Sequence, residues 1–533
     1  MLDIIISGGT LIDGSGSPAS RSDIGITGDT IQVIGNLDGC ECKERIDARG
    51  LVVSPGFIDA HSHTDQSVFI DNRAESQIRQ GVTTELTGVC GYSLAPCDDR
   101  TRMDVQGLAP VRIRSEWNSF DEYLTAVESV RPTTNIASLV GHGALRLLAM
   151  KDSDPTAPAS AEEVHHMADV LTECLEQGAF GLSTGLEYHP GKGATTWELE
   201  TLCRRLPAFD GMHATHVRNR DRYALSAFSE VCDIARTTGS RLQISHINPK
   251  YGRYPGTIKR TLQMLQWLRE DGIEAGLDVM PTRWNFTSGV ALLPAWAFRI
   301  STQELLALLE TPEGRRRLKN NEAPIWQLAV DDHWERIRLF AAQKTQRHLG
   351  KTLSQIGEEY GCANGWEGLC RLFCEEGENL GCIVVTGDSF FLEDIEESLQ
   401  DPFCSVISDS IASAVDGPLA NSCVGPNSFL WTHEFLMDFV QKRHMLSLEE
   451  GIRRLTSLPA GQIGLKNRGL LRAGYYADIV VFNAESSETV FDISRPKQHP
   501  DNVKYVFVNG VAAVHDGKRQ NVHSGQVLRK TTS

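Results

Sequence analysis

The sequence predicts an α/β chain built round a (β/α)8 barrel, with a small β-sandwich made from both chain termini and a helical segment inserted near the barrel mouth. Three observations carry this. Potential metal ligands at His61, His63, Cys90, His216, His246 and Asp409 each close a short apolar run, and they are spread from position 61 to position 409. A barrel produces such dispersal when it gathers groups from the ends of several strands, whereas a zinc finger keeps its ligands within a few dozen residues. Apolar runs alternate with helical stretches through the middle of the chain, the pattern of parallel βα units, while both ends read as short strands between Gly and Asp turns.

The N-terminal 50 residues place short strands at 4–6, 10–12, 24–26 and 31–34. The C-terminal region does the same at 477–482 and 503–508, the latter running into an Asn509-Gly510 hairpin turn. Residues 1–50 and 468–533 are therefore expected to form one sandwich. The barrel is assigned to 51–290 and 375–467, with strands at 52–59, 82–87, 135–140, 179–183, 212–215, 242–245, 274–279 and 404–408. More than 120 residues separate the last two strands, far beyond an ordinary βα connection. The charged, Leu-rich stretch 301–361 within that gap reads as helical. An insertion at 291–374 is expected, as a lid or as an outer decoration.

At 533 residues the chain exceeds the ~250 of a bare barrel, which leaves room for these additions. An apolar fraction of 41% and a charged fraction of 23% are ordinary for a globular protein, and no window offers the ~20 apolar residues of a membrane span. The start, Met1 to Gly9, has no basic segment ahead of an apolar run, so a cytoplasmic enzyme is expected. The thirteen cysteines are then mostly buried free thiols. With a net charge of −17 and no Lys/Arg cluster, nucleic acid and membrane are excluded as partners. Nothing in the sequence specifies an oligomeric state.

His61 and His63 follow a buried run, and the period of two in a strand puts both imidazoles on one side of the chain. Cys90 ends the next strand. A lone cysteine is usually a small core residue, and here the neighbouring ligands argue for a thiolate able to bridge two ions. His216 and His246 close two successive strands, and Asp409 closes the last, where it would otherwise read as a helix N-cap. Imidazole and thiolate hold zinc, which lowers the pKa of a bound water and polarises a carbonyl. A carboxylate beside that water takes its proton and delivers it to a leaving nitrogen, the catalytic role expected of Asp409. The pattern is that of a metallohydrolase.

With these ligands in place, the chain resembles the amidohydrolase superfamily, and more closely the N-acyl-D-amino-acid deacylases. The resemblance runs almost end to end: through 55–63, 81–96 with its Cys-Gly-Tyr-Ser-Leu-Ala-Pro, 140–143, 181–188 with Leu-Ser-Thr-Gly-Leu-Glu-Tyr, 215–218, 245–246, 456–460 and 477–482. It implies that Cys90, His216 and His246 hold a tight zinc, with His61, His63 and Asp409 round a second, weaker or empty site that Cys90 can bridge. The substrate implied is a small N-acyl compound. The fourth strand lacks the lysine of the cyclic-amide hydrolases, Lys192 lying beyond it. A deaminase lacks support from these motifs, and a non-catalytic relative would not retain all the ligands.

Three positions depart from the deacylases. Where the family grips the substrate α-carboxylate with a Lys, a Tyr and an Arg, this chain has Asn248, Thr282 and Asn427. The sequence therefore predicts an N-acyl substrate without a free α-carboxylate, such as an N-acylated amine or an alkaloid-like intermediate. The alternative is an ordinary N-acyl-D-amino-acid deacylase in which Arg220, Lys250 or Arg283 supplies the cation. Trp284, Phe286, Phe429 and Trp431 serve either as an apolar pocket wall or as core. His142 and His213 either line the pocket or are structural.

Overall fold

The computed structural model describes residues 1–106, 113–298, 300–321, 325–420, 425, 428–485, 487, 489–492 and 495–531. The barrel strands follow one another in parallel: Phe57–Asp59, Val82–Thr87, Asn135–Ser138 continuing as Val140–Gly141, Gly181–Gly185, Met212–His216, Arg241–Ile244, Ala275–Val279 and Cys404–Val406. The third strand joins two stretches of sheet, since Asn135–Ser138 pairs with the second strand and Val140–Gly141 with the fourth. Between the eighth and first strands there is one parallel bridge, Ser62 to Ser410, rather than a ladder. Two backbone bonds flank it, from Asp409 N to the His61 carbonyl (3.1 Å) and from His63 N to the Ser410 carbonyl (2.8 Å).

Helices pack round the strands as their apolar spacing requires. In Ala161–Glu176, Val164, Met167, Ala168, Leu171 and Leu175 recur at helical intervals and are buried. Ser160 and Glu163 form a reciprocal capping box that satisfies amide groups at its start. Apart from the half-buried Arg241 that opens the sixth, the barrel strands are buried along their length, as in a sheet covered on one face by helices and on the other by its own interior.

The terminal segments build two packed sheets. One orders Thr30–Gly35, Asp23–Thr27, Leu2–Ser7 and Cys42–Asp47; the other runs Lys518–Arg519, Val511–His515, Val503–Val508, Ile479–Phe482, Val52–Pro55, Thr10–Leu11 and Ser20–Arg21. Ile6, Ile24, Ile26, Ile31 and Ile46 of the first face Val53, Ile479, Val481 and Phe507 of the second. The strand predicted at 52–59 is in fact two. Val52–Pro55 pairs antiparallel with Ile479–Phe482 in the terminal sheet, and only Phe57–Asp59 enters the barrel. The break falls at Gly56, where a Cβ would lie 2.3 Å from the Thr83 side chain, so the chain can change sheets there only with glycine.

The inserted region also differs from the all-helical segment expected. Its helices, among them Thr302–Glu310, Leu353–Glu359 and Gly365–Glu376, pack on a three-stranded antiparallel sheet of Trp284–Ser288, Val384–Asp388 and Ile337–Ala341. Two of these strands lie outside 291–374, and the pairing that makes them strands is between segments distant in sequence. The described cysteines are free thiols, most of them buried, and among the described residues no helix is long and apolar enough to cross a membrane.

One buried network ties the terminal sheet to the barrel. The Asp478 carboxylate accepts from Arg468, from the Asn509 amide (2.8 Å) and from Asn135 of the third barrel strand (3.3 Å). Asp478 and Arg468 are each 5% exposed. Asp478→Ala leaves the guanidinium buried without its counter-charge, and a loss of about 3–5 kcal/mol in unfolding free energy is expected from denaturant titration. A loss below about 1 kcal/mol, the range of exposed pairs, would show that this contact is not an anchor.

Candidate metal centre

The ends of five barrel strands bring the six predicted ligands together. His61 Nε2 lies 3.2 Å from Cys90 Sγ and 3.4 Å from Asp409 Oδ1, and His63 Nε2 lies 3.2 Å from the same Asp409 oxygen. On the other side of the thiol, His246 Nε2 is at 3.2 Å and His216 Nδ1 at 3.6 Å. Two overlapping donor groups result, His61, His63, Cys90 and Asp409, and Cys90, His216 and His246, each with its ligating atoms within 4.8 Å of one another. Cys90 is common to both, in the bridging position.

Backbone conformation aims these side chains. Cys90, His246 and Asp409 have φ of +52°, +34° and +51°, a left-handed region that non-glycine residues occupy at a cost of ~1–3 kcal/mol and that recurs at ligand clamps. Each is held by its surroundings. The His246 amide donates to Asp278 Oδ1 (2.5 Å), and Asp409 N donates to the His61 carbonyl. A Cβ on Gly185 would lie 1.9 Å from the Cys90 carbonyl oxygen, so only glycine at the end of the fourth strand lets the cysteine turn seat there.

The donor chemistry fits a zinc ion. Burial holds three of the four imidazoles in the neutral, metal-binding form: His61 is pushed down to about 3, His216 to about 4 by burial and by the charge of Arg220, and His246 well below its ordinary value. Burial, reinforced by the Asp409 charge, pushes the Cys90 thiol far above its ordinary value, so a thiolate at this position needs a cation beside it. For Asp409, burial alone would raise the carboxyl. The hydrogen bond from His63 and the fields of His61, His63 and Arg220 outweigh it and hold the group well below the usual carboxylate range. Three imidazoles sharing a thiolate, with a carboxylate at the open side, form a set suited to zinc.

Glu187 was not singled out as a site residue by the sequence. Its carboxylate accepts from His216 Nε2 (2.8 Å) and from Lys250 Nζ (2.6 and 2.9 Å), which fixes the His216 tautomer with Nδ1 facing the thiol. The available signal was its place two residues past the fourth barrel strand, on the face where such folds carry their chemistry. Lys250 spends its remaining donor on the Ile325 carbonyl (2.5 Å).

A cavity of about 300 Å³ opens over this centre, with His63, Cys90, His216, His246 and Asp409 on its wall and Ile70, Leu94, Val105, Phe286, Val384 and Leu419 among its apolar lining. A second cavity of about 30 Å³ is lined by Arg220, Lys250 with its partner Glu187, Asn285 and Phe390 among others, and shares Tyr188, Phe286, Thr287 and Asp409 with the first.

Of the residues expected to touch substrate, Phe286 lines both cavities. Several others lie elsewhere. His142 is locked to Glu198 (2.7 Å), which also pairs with Arg146 in a buried network, and His213 is bonded to Thr184 (3.0 Å). Asn248 clamps the Met280 backbone, donating to its carbonyl (3.1 Å) and accepting from its amide (3.0 Å). Thr282 accepts from the Trp284 amide (3.3 Å). Arg283 is exposed and paired with Asp388, and Trp284 sits in the inserted sheet opposite that same residue. Phe429 and Trp431 are core, fully buried. Asn427 lies outside the described residues.

Removing the Glu187 charge tests the arrangement. Glu187→Gln is expected to weaken zinc binding by roughly 10–100-fold, measured by competition with a chromogenic chelator. Unchanged affinity would mean that His216 is not oriented through this bond.

The amidohydrolase family model matches residues 44–332 and 424–514. The N-acyl-D-glutamate deacylase of Alcaligenes xylosoxydans xylosoxydans is 30% identical over 538 residues, covering 100% of this chain and 97% of its own length. Among solved structures, the N-acyl-D-glutamate deacylase of Bordetella bronchiseptica, complexed with zinc and a phosphonate mimic of the reaction's tetrahedral intermediate, has a TM-score of 0.79 at 28% identity and covers 99% of both chains. D-aminoacylase, described with a binuclear metal center, has a TM-score of 0.80 at 26% identity and covers 99% of this chain and 100% of its own. With the family match spanning most of the sequence and the first relative aligned along its whole length, the chain belongs to the amidohydrolase family, in its N-acyl-D-amino-acid deacylase branch.

Proposed function

We propose that the protein is a zinc-dependent deacylase that hydrolyses the amide bond of an N-acyl-D-amino acid, releasing a carboxylic acid and a D-amino acid. The observation that carries the reading is the convergence of six donor groups, five of them, Asp409 included, on the wall of a largely apolar cavity. Cys90, His216 and His246 would hold one zinc, and His61, His63 and Asp409, together with Cys90, would offer donors for a second. Zinc bound there polarises the amide carbonyl and lowers the pKa of a water molecule.

The remaining chemistry belongs to the chain. Asp409 is kept ionised by His63 and His61, so it can accept the proton of the attacking water and pass it to the leaving nitrogen. His63 orients the accepting oxygen by its 3.2 Å contact. Its own affinity for a proton is lowered by burial, but Asp409 more than restores it, raising the imidazole above its ordinary value. The apolar wall takes the acyl chain and keeps bulk water from the reacting carbonyl.

The substitutions at 248, 282 and 427 gave the expectation of a substrate without a carboxylate. The relatives named above favour the carboxylate-bearing class instead. The side chains of Asn248 and Thr282 also lose their weight in that argument, because both are engaged with neighbouring backbone and neither lines either cavity.

Zinc-loaded enzyme, offered N-acetyl-D-amino acids, their L enantiomers and neutral N-acetylamines, is expected to release primary amine from the D acids. Asp409→Asn should lower kcat by about 10²–10⁴-fold, with zinc content at the Cys90 position retained. Turnover confined to the neutral amines would overturn the reading.

A further inference from the structure

Arg220 is a buried cation near the metal ligands that touches neither the attacking water nor the reacting amide in the mechanism above. Only 5% of the residue is exposed, yet among the described residues its guanidinium has no carboxylate partner. Nη1 donates to the His246 carbonyl (2.9 Å), Nε is buried without a hydrogen-bond partner, and the group lies 5.9 Å from the Phe390 ring centre. Arginine is almost never buried unless paired, because an uncompensated charge in the interior is costly. Lys250, the other cation of this small cavity, is already saturated by Glu187 and the Ile325 carbonyl. Arg220 acts on Asp409 and Glu187 only through space; what it lacks among the described residues is a carboxylate within hydrogen-bonding distance.

The cavity geometry indicates where that anion comes from. The small Arg220 niche and the large apolar cavity adjoin along Tyr188, Phe286, Thr287 and Asp409. Asp409 marks the point at which the scissile carbonyl would be attacked. An N-acyl amino acid carries its carboxylate one carbon beyond the amide nitrogen and its acyl chain on the opposite side of the same bond. With the carbonyl at Asp409, the acyl chain faces the large cavity and the carboxylate faces the niche. The planar fork of a guanidinium matches a carboxylate in two parallel bonds.

We infer that Arg220 binds the substrate α-carboxylate and so sets the preference of the enzyme for N-acyl amino acids over neutral amides. This rests on the deacylase reading. Arg220 takes over from the position of Asn248, which this chain uses to clamp Met280.

The test compares full-length wild type, Arg220→Met and Arg220→Lys on N-acetyl-D-leucine and its carboxamide. It also measures calorimetric binding of both compounds to the metal-free proteins. For Arg220→Met, kcat/KM on the free acid should fall about 100-fold or more, mostly through KM, and at least about tenfold further than on the carboxamide, whose own loss reports the field of Arg220 on Asp409 and its bond to His246. The metal-free variant should lose its preference for the acid. Arg220→Lys, which keeps the charge but not the fork, should recover part of both. Equal losses on acid and carboxamide would make Arg220 a positioning residue for His246 and overturn the inference, as would metal-free wild type that binds both compounds alike. Wild type that binds the acid through Arg220 but hydrolyses neither compound would support the carboxylate niche while counting against the deacylase reading.

Discussion

The left-handed turn at the ends of three barrel strands is the constraint on which this structure rests. Cys90, His246 and Asp409 each leave their strand with positive φ, and that turn sends the side chain into the barrel mouth instead of along the strand. The conformation is unfavourable in isolation and must be imposed by neighbours. Gly185 imposes it on Cys90 by close approach, Asp278 on His246, and the His61 carbonyl on Asp409. The last contact has a second consequence, because it also helps close the seam between the eighth strand and the first. Fold closure and ligand placement share a bond.

Behind the ligands stands a set of buried acids. Asp59 receives the His61 amide and the amide and hydroxyl of Ser408, Asp278 receives the His246 amide and the Gln243 side chain, and Glu187 receives His216. Burial pushes Asp59 and Asp278 up to about 7. For Glu187 the burial penalty is outweighed by Lys250 and His216, which keep it ionised. Each acid backs one ligand. Glu187 bonds Lys250, and Arg220 is left, among the described residues, without a carboxylate at hydrogen-bonding distance.

Much of this was legible in the chain. The strand Val82–Thr87 ends where its apolar pattern ends, and the ligands follow because side chains just past a parallel strand have one face to occupy. What was not legible depends on contacts across sequence. The run at 52–59 has one continuous pattern, and only the proximity of Thr83 reveals that Gly56 divides it between two sheets. The strands Trp284–Ser288 and Val384–Asp388 make sense only as partners. Asn248 stands where a carboxylate-binding Lys was expected, but its side chain meets the Met280 backbone, a contact set by the neighbouring strand and invisible to spacing. The sequence offered Arg220, Lys250 and Arg283 alike as cations, and only the structure separates them: Arg283 is exposed, Lys250 is paired with Glu187, and Arg220 is buried.

The central claim is that Cys90 and its neighbouring imidazoles hold zinc at the barrel mouth. Zinc K-edge X-ray absorption on the zinc-loaded protein tests it most directly. The account predicts a sulfur scatterer at about 2.3 Å together with nitrogen at about 2.0–2.1 Å, and loss of the sulfur contribution in Cys90→Ser. A wild-type spectrum with nitrogen and oxygen neighbours alone would contradict it.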